Sequence, residues 1–262
     1  RGLKYGVTRN YVMGLEVVLP TGDIVTTGGK TVKGVVGYDL TKLMVGSEGT
    51  LGIITELTLK LSGIPQAISG GVCPFPSVEA ACNAVIATIQ SGIPVARIEL
   101  VNALQMQAFS NYSKLDLPQT PCLFVEFHGS DLSVKEQSDG FGEIAADYGG
   151  GPFRWSADAD QRAKLWQARH DAYWASLTLR PGARGISTDV CVPISRLAEC
   201  VVETEKDIEA HGLIAPIVGH AGDGNFHVLL LLEAGNMAEI AACEAFVARL
   251  NDRALAMDGT CT

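Results

Sequence analysis

Two of the five histidines in this 262-residue chain flank an Asp-Gly pair in "GHAGDGNFH", residues 219–227. Asp-Gly between apolar runs signals a hairpin. With Asp223 and Gly224 as the centre of a type I′ turn, the register runs 222 with 225, 221 with 226 and 220 with 227. His220 and His227 then face each other on one side of a sheet, with Cβ atoms about 4.5–5.5 Å apart. Imidazoles this close can share one cation at about 2.0–2.1 Å from each nitrogen. Two histidines are an incomplete set, so a third ligand, such as a carboxylate, must come from elsewhere. The alternative is an incidental pair in a polar-tipped hairpin.

In "KLWQARHDAYWASL", Trp166, Arg169, Tyr173 and Leu177 recur at helical spacing and share one face. That face is apolar except for Arg169. A guanidinium there is costly unless it meets an anion. Either it pairs with a structural carboxylate, or it grips the carboxylate of a substrate in a bidentate contact. His170 points off this face and reads as a solvated helix residue, while His128 and His211 carry no signal.

A third stretch, "VGSEGTLGIITELTLKL" at 45–61, sets glycines close together before an alternating run. Such spacing lets a backbone approach a flat or phosphorylated ligand and present its N–H groups. It equally suits tight turns in an all-β region.

These residues need elements to hold them. Residues 11–62 are glycine-rich and strand-like, and "MGLEVVLPTGDIVTTG" reads as a hairpin around Thr-Gly-Asp. From Ser62-Gly63-Ile64-Pro65 onward strands and helices alternate. Strands are expected at "SGGVCPF", "VARIELV", "PCLFVEFHG" and "GISTDVCV". Helices are expected over Ser77–Ser91, Asn102–Tyr112, Asp131–Tyr148, Ser156–Leu179, Ser195–His211 and Met237–Met257. The hairpin implies antiparallel pairing, hence an α+β sheet with helices on one face.

A net charge of −9 without a long basic run argues against nucleic acid as a partner. The longest apolar stretch, Val228–Leu232, is too short to span a bilayer. Seven cysteines, an odd number with no C-x-x-C pair, favour reduced thiols over a disulfide framework. Both ends look cut: the chain opens on Arg1 without an initiator Met or targeting segment and stops at "GTCT", as a piece of a longer protein would.

Together "YDLTKLMVGSEGTLGIITELTLKL", "VARIEL", "YSKLDL", "FVEFHGS", "LWQARHDAYWA", "STDVCVPISRL" and "IVGHAGDGNFHVLLL" resemble the FAD-linked oxidases of the vanillyl-alcohol-oxidase type. The likeness runs along nearly the whole chain. It is strongest to the D-lactate-oxidising branch, with glycolate- and D-2-hydroxyglutarate-oxidising relatives. It implies that residues 1–62 are the C-terminal part of an FAD-binding domain. Residues 63–262 would be a substrate-capping domain on a ferredoxin-like antiparallel α+β sheet, truncated at its end.

By the same resemblance, Gly46, Ser47, Glu48, Gly49, Thr50, Gly52, Ile53 and Ile54 belong to an FAD-contacting stretch, and Tyr5 and Gly6 lie close to the flavin. Arg169 matches the arginine that binds the substrate carboxylate. His220 and His227 match two ligands of a divalent metal, zinc or manganese. The third ligand and a catalytic base would come from a G-E-H-G-I-G motif that follows "GTCT" in the family, and the pyrophosphate loop from a segment before Arg1. The 262 residues alone would then neither retain FAD nor turn over.

Relatives acting on dicarboxylic hydroxy acids carry an Asn where this chain has Leu229, and a Lys near Ser187. An apolar residue cannot satisfy a second buried charge. The implied substrate is a small monocarboxylic D-2-hydroxy acid, lactate before 2-hydroxyglutarate. Electrons would leave to cytochrome c, a quinone or another carrier. The implied location is mitochondrial in a eukaryote, or the cytoplasm or inner membrane face in a bacterium. Outside this family, the histidine pair would suit a non-enzymatic metal-binding module.

Overall fold

The computed structural model describes residues 2–156 and 158–262, and only the backbone of 154–156. The chain divides into two compact units, Arg1–Ile64 and Pro65–Thr262.

In the first unit, short helices α1 (Gly2–Tyr5) and α2 (Thr8–Tyr11) precede strands β1 (Val12–Val18) and β2 (Ile24–Gly28), helix α3 (Leu40–Met44) and strand β3 (Ile53–Leu59). The three strands form an antiparallel sheet with β1 in the centre, and the hairpin expected around Thr-Gly-Asp joins β1 to β2. Val12, Leu15 and Val17 are its small core, packed by Leu19, Val25, Met44 and Val45.

The second unit opens with β4 (Ala67–Pro74), α4 (Val78–Gln90), β5 (Arg97–Val101), α5 (Ala103–Ser113), β6 (Cys122–Gly129) and α6 (Asp131–Asp147). It continues with β7 (Arg154–Ser156), α7 (Ala159–His170), α8 (Ala172–Leu177), β8 (Arg184–Ser187) and β9 (Val190–Cys191). Then follow α9 (Leu197–Ala210), β10 (Ile217–His220), β11 (Asn225–Leu232), α10 (Met237–Ala256) and β12 (Thr260–Cys261). Ser77, Asn102, Ser130, Asp158 and Asn236 each accept the N–H three residues on, which starts these helices where their sequences place a capping side chain.

The strands make one antiparallel sheet in the order β12-β9-β11-β10-β5-β6-β4-β7, with β8 also paired to β11. The α+β class expected from the alternation is therefore the observed one. The helices do not all lie on one face. Helices α4, α6, α9 and α10 cover one side, where Phe127 and Phe141 stack at 6.0 Å. Helices α5, α7 and α8 cover the other. There Val72, Val101, Phe124 and Val218 meet Met106, Phe109, Ala172 and Ala175. The reason is in the strands: β4, β5, β6 and β10 carry apolar residues on both faces, so both need cover.

Two further expectations are corrected. The helix expected over 156–179 is two helices parted at Asp171 (ψ 13°), whose carboxylate accepts Gln167 Nε2 at 3.0 Å; Ser156 ends β7 and residue 157 lies outside the described residues. The strand expected over 185–192 is interrupted at Thr188–Asp189. All seven cysteines are free thiols, and burial pushes Cys73 up to about 12 and Cys200 to about 11.

Candidate functional site

The hairpin around Asp223-Gly224 exists, but its register is not the expected one. His220 pairs with Asn225 and Val218 with His227. The connection is a 3-10 turn over Ala221–Asp223 closed by Gly224 at φ 76°, longer than a two-residue loop. Gly224 has no room for a side chain, since a Cβ would stand 2.0 Å from the Val192 carbonyl oxygen. The longer turn thus packs against Val192, the residue after β9, whose N–H donates to the Gly224 carbonyl at 3.0 Å.

The shift by one pair leaves both histidines on the same face, because side chains two apart share a face. They are diagonal neighbours. Their rings stand perpendicular, with centroids 5.6 Å apart.

Each ring is held through Nδ1. His220 Nδ1 lies 2.9 and 2.8 Å from the two carboxylate oxygens of Glu99. His227 Nδ1 donates to the Thr188 carbonyl at 3.0 Å, with Asp189 Oδ1 3.4 Å away. That carbonyl is available because the strand breaks there: Thr188 Oγ1 takes the Val228 N–H at 2.9 Å in place of a ladder bond. Asp189 in turn accepts Asn225 Nδ2 at 2.6 Å. Carboxylates and carbonyls only accept, so in the neutral rings both protons sit on Nδ1 and both Nε2 atoms carry lone pairs. Burial holds the His227 imidazole below the usual histidine value, against the opposing pull of the Thr188 carbonyl and Asp189.

Glu99 was missed by sequence reasoning although its segment was read as a strand. Strand β5 aims it at the histidine face, 6% exposed. Its Oε2 also accepts Arg169 Nη2 at 2.8 Å. Burial alone would raise its carboxyl, but the His220 hydrogen bond and the Arg169 charge outweigh that and hold it below the ordinary carboxylate value. The signal in the sequence was an acid flanked by Ile98 and Leu100 in a strand-like run; what it would meet was not written there.

Arg169 therefore joins His220 through Glu99. Its Nε is buried with no hydrogen-bond partner among the described residues, so donors remain for an anion. Trp166, one turn earlier on α7, packs on the core and stacks on Arg97 at 4.4 Å. Tyr173, across the break, lies with Leu229 over Gly185. Leu229 is the cross-strand partner of Ser187, on the histidine face. His170 is exposed, whereas His128 is buried against Glu126 at 2.8 Å, a pairing its sequence did not announce.

In the first unit, Gly46 through Gly52 form the loop between α3 and β3, with Gly46, Glu48 and Gly49 at positive φ. Space is open where side chains would stand on Gly46 and Gly49, which fits close approach of a flat ligand. Gly52 instead packs on Val17 and Val18 of its own sheet. Ile53 and Ile54 open β3, Tyr5 ends α1, and Gly6 follows at φ 92°.

The donor chemistry fits two positions of a metal site. Among the described residues no group of three or more His, Cys, Asp or Glu side chains is placed to hold an ion, so the histidine pair supplies two ligands only.

The fold is that of the flavin-dependent oxidases of vanillyl-alcohol-oxidase type. 4-Ethylphenol oxidase from Gulosibacter chungangensis superposes with a TM-score of 0.67 at 16% identity, covering 92% of this chain and 55% of the oxidase. A p-cresol methylhydroxylase gives 0.66 at 15%, covering 96% and 58%. Residues 64–262 match the family described as FAD linked oxidases, C-terminal domain, and the chain belongs to the FAD-linked oxidases. It is 48% identical to "Probable D-lactate dehydrogenase, mitochondrial" of Danio rerio, over 99% of this chain and 53% of that protein. It is 40% identical to "D-lactate dehydrogenase [cytochrome], mitochondrial" of Arabidopsis thaliana, over 99% and 46%. Identity to "Glycolate oxidase subunit GlcD" of Bacillus subtilis is 36%, over 100% and 56%. The chain thus spans about half the length of these relatives.

Proposed function

We propose that this chain is the substrate-side half of an FAD-dependent D-2-hydroxy acid dehydrogenase that oxidises D-lactate to pyruvate. The observation that carries the reading is the convergence of Arg169, His220 and His227 on one sheet face, with Glu99 tying Arg169 to His220 and the His227 ring beside them. FAD would supply the hydride acceptor, and a divalent cation, zinc or manganese, a Lewis acid for the 2-hydroxyl.

The chain's own residues bind and orient. Arg169 grips the substrate carboxylate with its spare donors. His220 and His227 offer their Nε2 lone pairs to the cation. Leu229, 5% exposed beside Ser187, presents no charge to a second carboxylate, which favours a monocarboxylate. Gly46, Ser47, Glu48, Gly49, Thr50, Gly52, Ile53 and Ile54, with Tyr5 and Gly6, are assigned to FAD, and residues 1–62 to the end of its domain. The name of the plant relative supports a cytochrome as electron acceptor, and the names of the plant and fish relatives support a mitochondrial location in a eukaryote.

The test is kinetic. In the intact flavoenzyme, Arg169→Ala should keep the flavin spectrum and lower kcat/KM for D-lactate by about 100-fold or more. A fully active variant would remove Arg169 from this role. The likeness to a glycolate oxidase subunit favours a second reading with the same cofactor, and kcat/KM for glycolate against D-lactate separates the two.

A further inference from the structure

We propose that Glu99 is a positioning residue for both arms of the site: one buried carboxylate sets the tautomer of His220 and anchors the guanidinium of Arg169. The inference rests on reading His220 as a cation ligand and Arg169 as an anion grip.

The geometry is specific. Glu99 Oε2 lies 2.8 Å from His220 Nδ1 and 2.8 Å from Arg169 Nη2, and Oε1 is 2.9 Å from the same ring nitrogen. A structural ion pair for Arg169 would need the guanidinium alone; the contact to His220 goes beyond that. An ionised carboxylate only accepts, so it draws the imidazole proton to Nδ1 and leaves the lone pair on Nε2. The same oxygen engages Arg169 at a single nitrogen and leaves Nε without a hydrogen-bond partner among the described residues. Groups on β10 and α7, far apart in sequence, are thereby registered to one atom on β5. His227 is oriented independently, through the Thr188 carbonyl. Glu99 therefore controls one ligand of the pair together with the arginine.

The test uses the 15N-labelled intact flavoprotein that contains this chain and two-bond 1H–15N spectra of its histidine rings, with His220→Gln to assign the signal. The native chain should show His220 in the Nδ1–H form. Glu99→Gln puts an NH2 donor beside Nδ1, so the ring should move to mainly Nε2–H. Zinc affinity, read by competition with a chromophoric chelator, should fall about 10- to 100-fold. Circular dichroism reports folding. If the Gln variant does not fold, Glu99→Asp keeps the buried charge, and its Nδ1–H fraction should fall because the shorter arm cannot span both partners. A native His220 found as Nε2–H overturns the proposal. So does a folded Glu99→Gln chain with His220 still Nδ1–H and zinc affinity unchanged. The ring spectra need neither turnover nor metal. Absent D-lactate turnover alongside a Glu99-dependent tautomer would therefore count against the substrate reading and leave this one standing.

Discussion

His220 and His227 share one face of the sheet without being cross-strand partners, their rings perpendicular at a centroid separation of 5.6 Å. Both Nδ1 atoms are occupied by acceptors, so any shared cation must use Nε2. Replacing either ring by glutamine removes one of two nitrogen ligands. Each single variant should lower zinc affinity of the chain by at least about tenfold, and the double variant should add little once the pair is broken. Retained native affinity in both single variants would place the ion elsewhere.

Thr188 tests the strand break. Its Oγ1 accepts the buried Val228 N–H. Thr188→Val keeps the shape but leaves that N–H unpaired, at a cost of about 1–3 kcal/mol. Urea unfolding of the chain measures it. Because the Thr188 carbonyl would be free to shift, the His227 ring signal should also move.

Gly224→Ala combines a left-handed backbone with a Cβ driven to 2.0 Å from the Val192 oxygen. The expected loss is about 1–3 kcal/mol or more. Gly212→Ala, at φ 60° but in open space, should cost only about 1–2 kcal/mol. Equal losses in the two denaturation curves would show that the turn does not need its contact with Val192.

Asp207 governs acid stability on the opposite face. It accepts from Arg249 at 2.7 Å and Arg253 at 2.9 Å, with His211 also at 2.9 Å. Burial would raise its carboxyl, but the two arginines outweigh that and lower it. A depressed carboxyl binds fewer protons in the folded state, so its contribution is complete above the unfolded value of about 3.9 and fades as pH falls through the folded value. Asp207→Asn should therefore destabilise at pH 7, with the gap to the native protein closing below about pH 4. A gap independent of pH would show that the charge does not matter.

Much of this was legible in the residues. The helix starts expected at Ser77, Asn102, Asp131 and Met237 fall within one residue of the observed ones, because a helix start is set by a local bond between a capping side chain and an N–H three residues away. The histidine pair was visible because Asp-Gly marks a reversal. Its register was not, because the turn packs against Val192, 32 residues earlier in the chain and just past β9, a contact that neighbouring residues do not record. The break at Asp171 also escaped notice: the apolar spacing of Trp166, Arg169, Tyr173 and Leu177 continues through it, whereas backbone and side-chain bonds at one residue end the helix.

Residue types and spacing by themselves settled that an arginine and two imidazoles would be presented from a helix and a hairpin of an α+β protein. Side-chain periodicity and turn chemistry are local properties, written in neighbouring residues. Which acid would meet them was decided only in three dimensions. Glu99 lies 70 residues from Arg169 and 121 from His220, and it reaches both because the sheet order sets β5 beside β10 while α7 packs over that face. Burial keeps water away from the carboxylate, so its two partners are the groups that sheet and helix bring within hydrogen-bonding distance.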